Sequence, residues 1–208
     1  MLRLHYFHPG CSMASHIALQ ESGLEYEARA VDLSNPSQRG ALLALNPKGT
    51  VPTLELDERV LTENVAILCH IGDLAPGAEI VPGDRFQYAQ MLSLLAWCSN
   101  TVHIGFRQMF RPVRFSSDPA AHESVRAAGR EVAWAALKDF DARLSRRAYM
   151  MGERYSVLDG YPMVFYNWAV LVGLPVAELQ HLTGFKDRML GRPAVRTVLE
   201  REGCKLIS

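Results

Sequence analysis

The sequence has no net charge, because 22 Lys and Arg residues balance 22 Asp and Glu residues. This balance provides no general attraction to nucleic acid or to an acidic membrane surface. The chain also lacks an apolar run near the ~20 residues that a membrane helix needs, and its N-terminus lacks the basic and apolar segments of a signal peptide. We therefore expect a cytoplasmic protein with no nucleic-acid partner and no membrane association.

Cysteine is scarce, and the four cysteines lack the paired spacing of a disulfide framework or a metal site; they are at positions 11, 69, 98 and 204. We expect reduced thiols in a reducing compartment. Ala14 stands where the second cysteine of a C-x-x-C pair would be, which argues against a two-thiol redox cycle in this motif. With 208 residues, 49% of them hydrophobic, the chain can bury a sufficient core without disulfides or metal.

The first eighty residues alternate between strand-like and helix-like patterns. Short runs bounded by turn residues predict strands at 2–7, 26–33, 53–56 and 60–61. Apolar spacing and helix-breaking residues predict helices at 12–22, 41–45 and 63–74. The resulting order, βαβαββα, predicts a small α/β domain.

The rest of the chain shows no convincing strand. Helices are predicted at 86–110, 119–144, 156–172, 176–182, 185–190 and 194–202. The composition changes around the Pro and Gly residues of 76–83, so we place a domain boundary there. The predicted fold class is α/β plus all-α, with domains at 1–78 and 84–208.

Cys11 follows the first strand and a Pro-Gly pair, and it opens the first helix. Backbone N–H groups and the helix dipole at that end stabilise an anion. A cysteine in such a place can have its pKa lowered from ~8.5 to ~3.5–7.5, and the neighbouring Ser12 hydroxyl could donate a hydrogen bond to the thiolate. The alternative is a small buried thiol with no chemistry, and position alone leaves both interpretations open.

Two further residue pairs could meet a ligand. A cis peptide at Val51-Pro52 would turn the Val51 N–H and C=O toward an extended peptide, although the base rate for X-Pro bonds favours trans. Glu63 and Asn64 begin the third helix, whose N-terminus suits a ligand carboxylate, while Glu63 could meet a ligand ammonium. An acidic first turn that only complements the helix dipole is the common alternative.

Four residues recur at helical spacing and share one face of the long predicted helix: His103, Phe106, Arg107 and Phe110. A face that mixes aromatic and basic groups could line a pocket. Ordinary core packing, with Arg107 at the rim, is the better expectation from the spacing alone.

Two other patterns carry no catalytic role. His5, His8 and Cys11 are three residues apart, but strand alternation directs His5 and His8 to opposite faces, so we expect no metal site. Ser156 and Asp159 form a capping box that satisfies free N–H groups at the start of an apolar helix.

Together these segments resemble the cytosolic glutathione transferases, most closely the bacterial beta class. The resemblance covers nearly the whole chain, and it is carried by YFHPGCSMASHIAL at 6–19, NPKGTVP at 46–52, TENVAI at 62–67, HIGF at 103–106 and the cap at 156–159. It implies a thioredoxin-like N-terminal domain and a helical C-terminal domain. Such proteins are usually homodimers.

The resemblance also implies a site. Glutathione would be the co-substrate, bound mainly by the first domain. Cys11, with Ser12 beside it, matches the beta-class cysteine near the glutathione sulfur. Val51, before a cis Pro52, would pair with the cysteinyl backbone of glutathione.

Other implied roles lie further along the chain. Glu63 and Asn64 would hold the γ-glutamyl end of glutathione, and His103 matches a histidine of the interdomain cleft. A second substrate would lie over that cleft. Its pocket would include Phe106, Arg107 and Phe110.

Several positions depart from the beta-class pattern. Asn64 stands where a small residue is common, and 34–36 lacks a lysine that often helps to hold glutathione. Ala96 replaces an Asn seven residues before His103. Gly160 replaces the apolar residue expected near the cap, which should weaken that cap. These changes predict weaker glutathione binding or a changed pose.

The leading hypothesis is a glutathione-dependent enzyme of detoxification. Conjugation to a small electrophile is ranked first, thiol exchange through a Cys11–glutathione mixed disulfide second, and reductive removal of a halide is also open. The alternative is a non-catalytic ligand-binding or regulatory protein on the same fold. The missing lysine and Ala96 favour that alternative, whereas Cys11, Val51-Pro52 and Glu63 oppose it.

Overall fold

The structure is a computed structural model that describes residues 1–207, and it begins with a sheet covered by helices. The strands are β1 (Leu2–Tyr6), β2 (Tyr26–Ala30), β3 (Thr53–Leu56) and β4 (Arg59–Thr62). The first helices are α1 (Ser12–Ser22), α2 (Pro36–Leu45) and α3 (Asn64–Leu74). α2 begins before the predicted 41–45 because the Asn35 side chain caps it and Pro36 takes its first position. The order βαβαββα of a thioredoxin-like domain is confirmed.

The sheet has the strand order β2-β1-β3-β4, in which β2 is parallel to β1 and the other neighbours are antiparallel. Alternation along β1 gives the sheet two unlike faces. Leu2 and Leu4 join the apolar core, whereas Arg3 forms ion pairs with Glu27 and Glu55. The apolar face is the one that receives α1 and α3.

The two N-terminal histidines have acidic partners. His5 Nε2 lies 2.6 Å from Glu55 Oε1, and His8 Nδ1 lies 3.4 Å from Glu202 Oε2. Glu202 also lies 2.7 Å from His16 Nδ1, and the side chains of this second pair are fully buried. Within residues 1–207, no group of three or more His, Cys, Asp or Glu side chains is placed to hold a metal ion.

Helices build the remainder of the described chain. They are α4 (Arg85–Trp97), α5 (His103–Phe110), α6 (His122–Leu144), α7 (Gly160–Leu171), α8 (Gln180–Leu190) and α9 (Pro193–Glu202). The predicted helical C-terminal domain is confirmed, while the limits 1–78 and 84–208 stay a prediction. No helix among residues 1–207 is both long and apolar enough to cross a membrane.

The predicted helix at 86–110 is a helical run with an irregular middle. A π-helical turn, Cys98–Val102, separates α4 from α5. Such a turn inserts an extra residue and so rotates the following helical face relative to the preceding one. The orientation of the α5 face, which starts at His103, therefore differs from that of a regular continuation of α4.

The prediction of two helices at 176–182 and 185–190 is wrong. A 3₁₀ turn, Val176–Glu178, is followed by the continuous helix α8. The Asp141 carboxylate on α6 accepts hydrogen bonds from two N–H groups in the first turn of α8, at 2.8 and 2.9 Å. The cap that starts α8 is therefore supplied by another helix, which local sequence does not reveal.

The capping box at the start of α7 is confirmed. The Asp159 carboxylate accepts hydrogen bonds from the Ser156 N–H at 2.7 Å, the Ser156 hydroxyl at 3.0 Å and the Met150 N–H at 2.8 Å. Burial raises the pKa of Asp159 to about 6, and these hydrogen bonds oppose the rise. The cap therefore joins α7 to the loop before it.

Gly160, whose effect on the strength of this cap stays a prediction, allows close packing behind it. A Cβ on Gly160 would lie 2.8 Å from Ala14 Cα and 2.9 Å from Ala14 Cβ. α1 and α7 thus meet where a side chain has no room. This contact fixes the helical part of the chain against the sheet-containing part.

Gly160→Ala should destabilise the protein by about 1–3 kcal/mol, because the added methyl must displace the backbone of α1. Gly184→Ala in α8 is the matched control, since a Cβ on Gly184 would meet no atom within 4 Å. The control should be neutral or stabilising by up to about 1 kcal/mol. Urea unfolding measures both, and equal stabilities of the two variants would contradict the close approach.

Candidate functional site

The site is built around the tight turn that joins β1 to α1. The His8–Pro9 peptide bond is cis, and the Gly10 N–H donates to the Phe7 carbonyl at 2.7 Å. A Cβ on Gly10 would lie 2.4 Å from that same oxygen, so the turn requires glycine. The turn places Cys11 at the N-cap of α1.

Ser12 holds this turn, which corrects the expectation that its hydroxyl stabilises a sulfur anion. The side chain is fully buried. Its Oγ accepts a hydrogen bond from the Phe7 N–H at 3.1 Å and donates to the Phe7 carbonyl at 3.2 Å. Because a hydroxyl has one proton to donate, none remains for Cys11.

Cys11 lies where the sequence predicts it, but its thiol is not activated. The thiol donates to the Val51 carbonyl, with Sγ 3.7 Å from the oxygen. Burial raises the pKa of Cys11 to about 12, outweighing nearby backbone N–H groups and the charge of Arg107, which lower it. Of the two interpretations that position leaves open, the raised pKa favours the unactivated thiol in the free protein, because desolvation exceeds the effect of the helix N-terminus.

Val51 lies beside Cys11 and precedes Pro52 in a cis peptide bond, as the family resemblance implies. The Asn46 side-chain amide donates to the Thr50 carbonyl at 3.0 Å and so fixes the loop. Within the described residues the Val51 N–H makes no hydrogen bond, and the Val51 carbonyl meets the Cys11 thiol. A donor and an acceptor are thus left on one residue for a peptide ligand.

Glu63 presents an exposed carboxylate at the N-terminus of α3. Its φ is 71°, a left-handed conformation that costs free energy for residues other than glycine. The carboxylate pairs with Lys48 Nζ at 2.7 Å. A lysine is therefore present at this edge, although the loop at 34–36 has none.

The Asn64 side chain is engaged within the protein, so a contact of Asn64 with a ligand would come from its backbone. It is buried, its amide nitrogen donates to the Cys11 carbonyl at 2.9 Å, and its amide oxygen accepts a hydrogen bond from the Ser15 hydroxyl. Asn64 thus joins α3 to α1 and to the Cys11 turn. Its backbone N–H, at the first position of α3, stays available to an anion because helix geometry gives it no intrahelical partner.

The residues predicted to share one face of α5 lie in two different environments, the core and the border of a cleft. Phe106 is fully buried and stacks on a phenylalanine of α7 with ring centroids 5.6 Å apart, so its assignment to the pocket is wrong. Phe110 is 40% exposed and meets Trp168 edge-on at 5.7 Å, and His103 meets the same ring edge-on at 5.0 Å. His103, Arg107 and Phe110 therefore remain the residues of this face that can border a cleft.

Trp168 is a site residue that sequence analysis missed. Its indole N–H donates to the Pro9 carbonyl at 2.9 Å, although the two residues are 159 positions apart. This bond holds α7, and with it the α5 face, against the Cys11 turn. A helical pattern assigns such a tryptophan to the core, and its spacing carries no signal of the distant partner.

Burial also changes the chemistry of His103. It lowers the pKa of the imidazole to about 4, and the positive charge of Arg107 acts in the same direction. At neutral pH His103 is therefore uncharged. It can form a hydrogen bond in the cleft but provides no charge to a nearby anion.

Known proteins share this architecture. Residues 10–74 match the family model for the glutathione S-transferase N-terminal domain. Glutathione S-transferase GstA of Escherichia coli O157:H7 is 32% identical over 208 residues, covering 98% of this chain and 100% of that protein. A glutathione transferase homolog from Sulfitobacter, solved with bound glutathione, superposes with a TM-score of 0.90 at 31% identity, covering 98% of this chain and 99% of that one. The bacterial beta class glutathione S-transferase of Sphingomonas chungbukensis gives a TM-score of 0.86 at 31% identity, covering 97% and 99%.

The lowered pKa of His103 has a measurable consequence for stability. An unfolded histidine titrates near ~6.5, so between about pH 4 and 6.5 the unfolded chain binds more protons, and stability falls as the pH falls. Relative to His103→Gln, the wild-type protein should lose about 1–2 kcal/mol of stability between pH 7 and pH 5. Urea unfolding at both pH values tests this, and parallel pH profiles for the two proteins would refute a neutral, buried His103.

Proposed function

We propose, from the premise that the chain belongs to the glutathione S-transferase family, that its site conjugates glutathione to small electrophiles with Cys11 as a hydrogen-bond donor. Relatives over the full length are glutathione S-transferases, and glutathione is bound in similar structures, so the chain is a transferase with glutathione as co-substrate. The observation that carries this proposal is a Cys11 thiol that donates to the Val51 carbonyl, next to an unpaired Val51 N–H.

The glutathione backbone would pair with Val51. Its cysteinyl N–H and C=O complement the Val51 C=O and N–H, as in the addition of a strand. This pairing would replace the hydrogen bond that the Cys11 thiol donates to the Val51 carbonyl, in which Sγ lies 3.7 Å from the oxygen. The freed S–H would then donate to the glutathione sulfur.

The γ-glutamyl end would lie at the start of α3. Its carboxylate suits the free N–H groups there, including that of Asn64, because a helix N-terminus favours an anion. Its ammonium suits the exposed Glu63 carboxylate. Glu63 would then pair with this ammonium in place of part of its contact with Lys48. This arrangement uses the backbone of Asn64 and leaves its buried amide in place.

The chemical step follows from the protonation state of Cys11. With a pKa of about 12, Cys11 stays S–H at neutral pH, so it is a donor and not a nucleophile. A hydrogen bond from this thiol favours the charged form of the glutathione sulfur and lowers its pKa. The glutathione thiol releases its proton to solvent, the thiolate forms a C–S bond with the electrophile, and the leaving group departs with its bonding electron pair.

Thiol exchange is the weaker candidate for the same reason. Attack by Cys11 on a disulfide requires its thiolate, which burial disfavours. We further propose a homodimer that acts in the cytoplasm on small electrophiles as a detoxifying enzyme. Family membership supports this setting.

Exchange of Cys11 tests the donor role. Cys11→Ala should lower kcat/KM for glutathione addition to a neutral chloronitrobenzene by roughly 10–100-fold, because a hydrogen bond to a charged group is worth about 1.5–3 kcal/mol. Cys11→Ser retains an O–H donor and should keep most of the activity. Steady-state kinetics of the three proteins, with ultraviolet titration of the bound glutathione thiolate, give both readouts.

Other results would favour other functions. Equal loss in the serine and alanine variants, together with a glutathione adduct on Cys11 of the wild-type protein, would support thiol exchange. Turnover by none of the proteins, with no stabilisation of the fold by reduced glutathione, would support the non-catalytic ligand-binding protein.

A further inference from the structure

Arg107 is one of two half-buried arginines, with Arg143, that have no ion pair within the described residues. Four arginines in the described chain are half-buried: Arg3, Arg107, Arg143 and Arg192. Arg3 pairs with Glu27 and Glu55, and Arg192 pairs with Glu21. Within residues 1–207 the Arg107 guanidinium makes neither a hydrogen bond nor an ion pair, so a partly desolvated charge is left without a counterion.

The location of Arg107 identifies where such a counterion would sit. Arg107 is on α5, one helical turn after His103 and three residues before Phe110. Both neighbours meet the Trp168 ring edge-on, and Trp168 is bonded to the Pro9 carbonyl in the Cys11 turn. Arg107 therefore lies on the α5 face that meets Trp168, and Trp168 joins that face to the Cys11 turn.

Charges around the site agree with this placement. The positive charge of Arg107 acts on both the Cys11 thiol and the His103 imidazole, so it lies near each of them. Glu63 is the acidic residue whose charge also reaches Cys11, but its carboxylate is engaged by Lys48 at 2.7 Å. No acidic side chain of the described residues neutralises Arg107.

We propose that Arg107 binds a carboxylate on the second substrate, so that this transferase prefers aromatic electrophiles that carry a negative charge. This inference rests on the proposed function. The planar guanidinium suits a carboxylate in a paired, two-bond geometry, and Phe110 and Trp168 provide apolar edges for the body of the substrate. Arg107 is in this sense a specificity-determining residue of the conjugation reaction.

A matched pair of electrophiles tests the proposal. One is a chloronitrobenzoate with the carboxylate para to chlorine, and the other is its methyl ester. In both, the glutathione thiolate forms a C–S bond at the carbon that bears chlorine, and chloride leaves with the electron pair of the C–Cl bond. Normalising each enzymatic rate by the uncatalysed reaction with glutathione removes the intrinsic difference in reactivity.

In the wild-type protein the normalised kcat/KM should be higher for the acid than for the ester. Arg107→Gln should lower the ratio of acid to ester by about tenfold, because one charge-assisted contact is lost. Arg107→Lys should lower the ratio less, since it retains the charge without the planar geometry. Conversion of the ester by each variant also shows that the variant is folded.

Arg143→Gln is the matched control. Arg143 is equally half-buried and has no ion pair within the described residues, but it lines a separate cavity of about 770 Å³ with Arg146 and Arg147. Its substitution should leave the ratio of acid to ester unchanged. If the acid-to-ester ratio fell in both Arg107→Gln and Arg143→Gln, the preference for the acid would come from the general positive field of the protein. This result would overturn the specific role of Arg107.

Three further outcomes separate the possibilities. An equal loss for acid and ester in Arg107→Gln would mean that Arg107 acts on the thiolate, which overturns the inference and leaves the proposed function intact. A raised KM for glutathione in Arg107→Gln, with an unchanged acid-to-ester ratio, would mean that Arg107 binds glutathione. That result would also overturn the inference and leave the proposed function intact. Failure of the wild-type protein to convert either electrophile would refute conjugation itself.

Discussion

Helix α1 is buried from every side, and this constraint shapes the rest of the molecule. Eight successive residues, from Ser12 to Leu19, are removed from solvent. A polar group in that segment must find a partner within the protein, because an unpaired buried donor or acceptor costs roughly 1–3 kcal/mol. Ser12 is satisfied by the preceding turn, Ser15 by Asn64, and His16 by Glu202. The partners of α1 therefore come from elements far apart in the sequence.

Burial also affects the chemistry of Cys11, which precedes that segment and is itself half-buried. A cysteine at a helix N-terminus gains from the dipole and from free N–H groups, whereas a cysteine removed from water loses the hydration of its thiolate. Here the second effect is larger, and the thiol stays protonated. A protonated thiol is still useful at a transferase site, since it can donate to a sulfur anion supplied by the co-substrate. Position on a helix and chemical state are thus separate properties.

Features that depend on neighbouring residues were predictable from the sequence. The strand and helix order, the capping box of Ser156 and Asp159, and the location of Cys11 all follow from spacing and turn residues. The assignment of a cis bond to Val51-Pro52 needed the family resemblance, because local preference favours trans. What could not be predicted depends on distant contacts.

Asn64 illustrates that limit. Its place at the start of α3 suggests a ligand contact, but its amide is used by Cys11 and Ser15 from another element. In the same way, the start of α8 depends on Asp141 of α6, and the place of Trp168 in the site depends on a carbonyl oxygen of the first loop. Which polar groups remain free for chemistry is decided by tertiary structure.

The buried pair of His16 and Glu202 has a consequence for biosynthesis. The two residues are separated by 186 positions, so the acidic partner of the first helix is translated long after that helix. Until Glu202 emerges from the ribosome, α1 is incompletely covered and the His16 imidazole lacks its carboxylate partner. The thioredoxin-like part therefore cannot reach its final packing as an independent early unit, although it is synthesised first. The first helix, which begins directly after Cys11, therefore reaches its final packing only after α9 has been synthesised.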